Sequence, residues 1–237
     1  MSPPAHFTLD GAAVPFEPGD TVIAAATRAG RTIPHLCWHP PLGPSGACRL
    51  CTVRVDGRLV SACTTPAAAG QVVESETGDL RERRSLLVQL LFAEGNHFCP
   101  GCEKSGNCRL QDAGYALGVT GPGFEEFFPR HAVDASHPDV WLDFNRCILC
   151  KLCVRASWEV DGKGVFQIGG HGTGTRVIVN SPRGRLVDSA LAADDLAARI
   201  CPVGAIGPKR LGYAVPIGQR PADRREPAEH GGPGAAP

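Results

Sequence analysis

The sequence predicts an α+β protein built from three small consecutive units, and three observations carry that reading. Two Asp-Gly pairs, at positions 10–11 and 56–57, each sit between short alternating apolar runs, the pattern of a tight β-hairpin. From about position 79 the apolar spacing changes to a helical period. The 11 cysteines fall into three groups along the chain: Cys37, Cys48, Cys51 and Cys63, then Cys99, Cys102 and Cys108, then Cys147, Cys150, Cys153 and Cys201.

Phe7, Leu9, Val14 and Phe16 alternate about Asp10-Gly11 and make the first hairpin. Asp20 is placed to cap a helix whose small apolar face is Val22, Ile23, Ala25, Ala26 and Ala29, with Gly30 as its left-handed stop. Residues 52–55 and 58–60 form the second hairpin, and Val72 and Val73 supply an edge strand. Leu80, Leu86, Leu87, Leu90 and Leu91, beside Arg81, Glu82, Arg83 and Arg84, predict an amphipathic helix that Gly95 ends. A Cys/His loop leads into a short helix over 109–117, closed by Gly118.

Residues 119–138 show no period, and their Phe124, Phe127 and Phe128 read either as the core of a loop or as a docking surface. The third unit opens at Trp141, with strands expected at 165–168 and 176–179 and a helix over 189–199 that delivers Cys201-Pro202. The resulting boundaries are 1–78, 79–120 and 121–208, followed by a Pro/Gly-rich tail, 209–237, with too little apolar content to fold alone.

With 24 Lys+Arg against 24 Asp+Glu in 237 residues, the chain has no formal net charge, which argues against nucleic acid as a partner. Its longest apolar run, 86–93, is broken by Gln89 and falls far short of the roughly 20 residues that span a bilayer. The opening MSPPAHFTLD has no export features, so a cytoplasmic protein is expected. In that compartment an odd number of cysteines is no disulfide framework, and the thiols are expected to be ligands. The 29 Gly and 21 Pro imply many turns, in which backbone N–H groups can approach a bound cluster closely.

In the third group, Cys147-x2-Cys150-x2-Cys153 puts three sulfurs on one loop and a remote Cys201-Pro202 supplies the fourth, the pattern of a 4Fe-4S cubane. Zinc, the alternative, draws instead on separated CxxC pairs. The first group, Cys37-x10-Cys48-x2-Cys51-x11-Cys63, approximates the plant-type spacing with a longer first gap and fits a 2Fe-2S cluster. Gly46 and Arg49 lie where donors to its sulfurs would act, although Arg49 reads equally as a surface charge.

The central group has three thiols and needs a fourth donor, for which His97 is the adjacent candidate. His35, His39 and His171 also lie near cysteines but find no vacancy. There is no GxxxxGK[ST], no strand-GxGxxG-helix, no nucleophile and base pair and no further cysteine pair for nickel. The glycine-rich stretch 169–174 reads as a loop over a cluster rather than a phosphate loop.

The motifs CWHPPLGPSGACRLC (37–51), NHFCPGCEKSGNCRLQ (96–111), RCILCKLCVR (146–155) and CPVGAI (201–206) occur in that order. Together they resemble the N-terminal iron-sulfur region of the large electron-input subunit of complex I, shared with iron-only hydrogenases and NAD-linked formate dehydrogenases. A chain of this length is similar to the diaphorase-side iron-sulfur subunit of soluble NAD-reducing nickel-iron hydrogenases. The resemblance covers most of residues 1–208. It implies an N-terminal β-grasp 2Fe-2S ferredoxin-like domain, a small helical Cys/His 4Fe-4S domain and a C-terminal 4Fe-4S ferredoxin-like domain.

The implied cofactors are one 2Fe-2S and two 4Fe-4S clusters. The implied partners are a flavin/NAD-binding diaphorase subunit and the small and large nickel-iron hydrogenase subunits. The implied role is electron transfer within a hydrogen-to-NAD oxidoreductase, with no substrate active site in this chain. Two other readings stand beside it: the equivalent subunit of a formate dehydrogenase or complex I variant, and a zinc-stabilised scaffold. The family places its ligand His four residues before the first central Cys, where this chain has Gly95. Either the loop bends so that His97 still reaches iron, or another donor or a three-iron cluster occupies the site.

Overall fold

The computed structural model describes residues 5–119, 121, 123–210 and 219. The chain divides after Arg84 into two compact units. In the first, β1 (His6–Leu9) and β2 (Ala12–Pro15) form the expected hairpin, followed by α1 (Val22–Arg28), β3 (Thr52–Val55), β4 (Arg58–Ser61) and β5 (Val72–Glu74). Both Asp-Gly turns carry positive φ at both residues, +49° and +80° at Asp10-Gly11 and +47° and +81° at Asp56-Gly57. Such turns match the right-handed twist of the flanking strands.

The strands make one mixed sheet of order β2-β1-β5-β3-β4. The expectation of an edge strand at Val72-Val73 is corrected: β5 is central, parallel to β1 and antiparallel to β3. Its Val73 is buried between an exposed Val72 and an exposed Glu74, and that alternation shows only that one face is covered. Which neighbours flank the strand is decided by topology. Helix α1 packs Val22, Ile23, Ala25 and Ala26 into a core with Phe7, Val14, Val53 and Val73, the β-grasp arrangement.

Its cap is Thr21, in extended conformation, whose Oγ1 accepts from Ala24 N at 3.3 Å. The expected Asp20 lies one residue too early. Its carboxylate accepts from Glu17 N at 2.7 Å and pairs with Arg28, which holds its pKa below the usual value.

Helix α2 (Gly78–Glu94) buries Leu80, Arg84 and Val88, one residue per turn on a single stripe. This corrects the expected amphipathic pattern twice. Leu86 and Leu90, assigned to the apolar face, are 45% and 42% exposed, whereas Arg84, assigned to the polar face, is 2% exposed. Arg84 is buried because its guanidinium finds three backbone carbonyls and the Ser75 hydroxyl there, as described below.

The second unit contains α3 (Arg109–Ala116), β6 (Val140–Leu142), α4 (Leu152–Glu159), β7 (Phe166–Gly169), β8 (Arg176–Val179), α5 (Leu196–Arg199) and β9 (Ile206–Pro208). β6 pairs with β9 and β7 with β8, both antiparallel, and α4 packs against α5 and β7 in a ferredoxin-like arrangement. The helix expected over 189–199 shrinks to the single turn α5. Before it, the Asp195 carboxylate accepts from Ala192 N and from Lys163 Nζ, both at 2.7 Å, and holds the chain in a turn.

Neither α4 nor β9 was expected: α4 begins inside a ligand loop and β9 is only three residues long. Phe127 and Phe128 are 70% and 61% exposed, so they do not form a loop core. Of the expected tail, only Lys209, Arg210 and Gln219 are among the described residues.

Candidate metal centres

The first thiol set is wrapped by the loop between α1 and β3. Gly43, Gly46 and Arg49 adopt positive φ there, which turns successive N–H groups inward. Cys48 N lies 3.3 Å from Cys37 Sγ, Ala47 also faces Cys37, Gly46 and Ser45 face Cys63, and Leu36 and Leu50 face Cys48. The four thiols interact as two pairs. In each, the partner's thiol and then backbone donors hold one sulfur low (Cys37, Cys63), and the other (Cys48, Cys51) is pushed up by its partner and by burial. The Arg49 side chain is exposed, and the loop acts on the sulfurs through its backbone and the Ser45 side chain.

Arg84 supports the same loop from below. Its Nε donates to the Leu50 carbonyl at 3.2 Å and Nη2 to the Thr52 carbonyl at 3.0 Å, the two residues that flank Cys51. Nη1 donates to the Ser75 carbonyl at 2.7 Å. Its nearest carboxylate, Glu76 at 3.5 Å, is half-exposed, so the buried cation has no buried counter-charge among the described side chains. Anionic thiolates around Cys51 would supply one.

His97, Cys99, Cys102 and Cys108 line a common cavity. His97 packs edge-on against Phe92 with ring centroids 5.7 Å apart. Its Nε2 is buried without a hydrogen-bond partner, while the Leu91 backbone engages the ring. Burial, and secondarily the charge of Arg146, lowers its pKa to about 4, so the imidazole is neutral with a free lone pair. A β-carbon on Gly95 would stand 2.5 Å from that Nε2, which places the His97 ring in the space of a residue-95 side chain. Gln111 ties the ligand loop, accepting from Gly106 N at 2.6 Å and donating to Ser105 Oγ at 3.1 Å. Burial pushes Cys108 up to about 12.

Cys147, Cys150, Cys153 and Cys201 line another cavity whose other walls are mainly apolar, among them Leu142, Phe144, Ile148 and Val203. Leu149 and Lys151, between the ligands, adopt left-handed φ of +52° and +64° and so curl the loop around that space. Leu149 N lies 3.4 Å from Cys147 Sγ. Cys153 sits in the first turn of α4, near its positive end. Burial raises Cys147 to about 11 and also pushes the Cys153 thiol up. The glycine-rich loop lies nearby: Gly172, Thr173 and Thr175 share a cleft with Cys147.

These residues fit iron-sulfur clusters. None of the 11 cysteines is in a disulfide. Among the described residues no three His, Cys, Asp or Glu side chains draw close enough to hold one metal ion, whereas the central and C-terminal thiol sets each line a shared cavity. Buried thiols with raised pKa ionise only against a cationic partner. Sequence reasoning missed Arg84, Arg146 and Gly204, whose roles arise from long-range contacts with no local signal.

Family models for a 2Fe-2S iron-sulfur cluster binding domain, an NADH-ubiquinone oxidoreductase-G iron-sulfur binding region and a 4Fe-4S single cluster domain match residues 2–78, 84–122 and 140–207. The gamma subunit of the NAD-reducing hydrogenase HoxS of Cupriavidus necator is 38% identical over 91% of this chain and 92% of its own length. The chain belongs to the family of NAD-reducing hydrogenase gamma subunits. A member of this family is an iron-sulfur electron-transfer component of an oxidoreductase. A crystal structure of an NAD+-reducing [NiFe]-hydrogenase in the H2-reduced state contains a chain similar to this one at 53% identity, with a TM-score of 0.88 over 95% of this chain and 98% of that one. The mitochondrial NADH-ubiquinone oxidoreductase 78 kDa subunit of Neurospora crassa is 32% identical over 88% of this gamma-type chain, which spans only 28% of that relative. No helix among the described residues is long and apolar enough to cross a membrane.

Proposed function

We propose that this chain conducts electrons between the hydrogen-oxidising and NAD-reducing parts of a hydrogenase, for the net reaction H2 + NAD+ → NADH + H+. Its partners in this reading are a flavin/NAD-binding diaphorase subunit and the small and large nickel-iron subunits, in the cytoplasm. The ligands are Cys37, Cys48, Cys51 and Cys63 for a 2Fe-2S cluster, and His97, Cys99, Cys102 and Cys108 for one 4Fe-4S cluster. A second 4Fe-4S cluster takes Cys147, Cys150, Cys153 and Cys201, and the working domains are 1–78, 79–120 and 121–208. The observation that carries the ligand set is the buried, unpartnered Nε2 of His97 on a cavity shared with three thiols.

When bound, the clusters supply one-electron redox chemistry. The chain's own residues make and break no substrate bond. The loop amides of 45–50 hold the first thiol set, Gln111 holds the central loop, and apolar side chains shield the third set from water. The hydrogenase relatives are 38% and 53% identical to this chain and the NADH-ubiquinone oxidoreductase relative 32%, which favours the hydrogenase reading over its runner-up.

Iron, acid-labile sulfide and zinc per chain after anaerobic purification, with EPR of the reduced protein, test the assignment. About ten irons with equal sulfide and both binuclear and cubane signals are expected. Stoichiometric zinc with little sulfide would overturn it. Nickel in the co-purified assembly supports the hydrogenase partners, and molybdenum or tungsten would replace them with those of a formate dehydrogenase.

A further inference from the structure

The central and C-terminal thiol sets share a side chain. Arg146 directly precedes Cys147, a member of the C-terminal set, yet its guanidinium faces the central one. Nη1 lies 3.6 Å from Cys102 Sγ, 2.9 Å from Glu103 Oε2 and 3.4 Å from the Gly204 carbonyl. Nε lies 3.1 Å from Asp143 Oδ2, and the guanidinium covers the Trp141 ring at 5.4 Å from its centroid. With only 22% of its side chain exposed, the group is held by two carboxylates, one carbonyl and one aromatic face.

The surrounding chain enforces this contact. Gly204 follows Cys201-Pro202 and its backbone packs so closely on the central set that a β-carbon there would stand 2.7 Å from Cys102 Sγ and 3.5 Å from Arg146 Nη1. The Pro202 carbonyl meanwhile accepts from Arg109 N at 3.0 Å, at the start of α3 just after Cys108. Loops that carry ligands of one set therefore form a wall of the other. Among the described residues, the one cation lining the cavity around Cys147 is Lys151, which is exposed.

We propose that Arg146, acting through Cys102, raises the reduction potential of the central cluster relative to the C-terminal one. The inference rests on the assignment of His97, Cys99, Cys102 and Cys108 as the central ligands. Reduction adds one electron and thus one negative charge, without a change in bonding or ligation. An N–H donor on a ligand sulfur and a fixed positive charge both stabilise that added charge more than they stabilise the oxidised state. Glu103, half-exposed, and Asp143 orient the guanidinium and offset part of its charge.

The test is an EPR-monitored redox titration of the full-length, iron-loaded chain and its variants. In Arg146→Gln the central midpoint shifts to more negative potential while the 2Fe-2S midpoint stays in place, and Arg146→Lys recovers part of the shift by retaining the charge. Glu103→Gln shifts the central midpoint the opposite way. A fully loaded Arg146→Gln that titrates at the parent potential would overturn the proposal. Should that variant lose iron, an unmoved central midpoint in Glu103→Gln, which leaves Arg146 intact, overturns it as well. A parent chain without a second cubane signal overturns instead the ligand assignment on which the inference rests.

Discussion

The imidazole Nε2 of His97 occupies the space into which a side chain on Gly95 would project, 2.5 Å from an ideal β-carbon there. A ring attached two residues later thus reaches the position that a residue-95 side chain would fill. Gly95 is what keeps that path open.

Four substitutions test this pairing. His97→Ala should lose the central cluster, read as about four of the ten irons and one cubane signal. Gly95→Ala, which sets a methyl group against the ring, should reduce the same signal. Adding Gly95→His to His97→Ala should restore it by moving the donor to the other end of the bend. Full iron in His97→Ala would show that His97 is no ligand. His97→Cys should keep the cluster at a more negative potential, since a thiolate adds negative charge where the imidazole is neutral.

Arg84 is expected to be a main support of the first unit. Arg84→Met keeps most of the volume but leaves the Leu50, Thr52 and Ser75 carbonyls without their donor. A loss on the order of 3 kcal/mol follows from several charge-assisted bonds removed from a buried site. Denaturant unfolding followed through the 2Fe-2S absorbance measures it. An unchanged midpoint would mean that the carbonyls find other donors.

At Gly204 a β-carbon would meet Cys102 Sγ at 2.7 Å and Lys104 Cβ at 3.3 Å. Gly204→Ala should therefore lower occupancy of the central cluster while the C-terminal cubane and the binuclear signal persist. Equal loss of both cubanes would instead indicate collapse of the whole second unit.

Helix α1 separates cap from neighbour. Thr21→Ala should cost about 1 kcal/mol of unfolding free energy, the usual effect of a lost N-cap bond. Asp20→Asn should cost less, since its pair with the 44% exposed Arg28 is screened by solvent. Paired unfolding curves of the two variants decide this, and a larger effect at Asp20 would return the cap to it.

Features that depend on short-range spacing were legible in the sequence. The two Asp-Gly hairpins are local because positive φ at two consecutive residues already dictates the reversal, and the three cysteine groups are local because a loop of a few residues can carry two or three thiols to one centre. The position of β5 in the sheet was decided by pairings distant in the chain, to which its period-two pattern is blind. The same holds for Arg84, which a helical pattern assigns to solvent, because its burial depends on carbonyls that β3 and β5 bring beneath α2. Arg146 and Gly204 meet Cys102 across 44 and more residues of chain. Contacts of that kind are settled by the folded chain alone, because they arise from packing between segments whose own sequences carry no record of what they will touch.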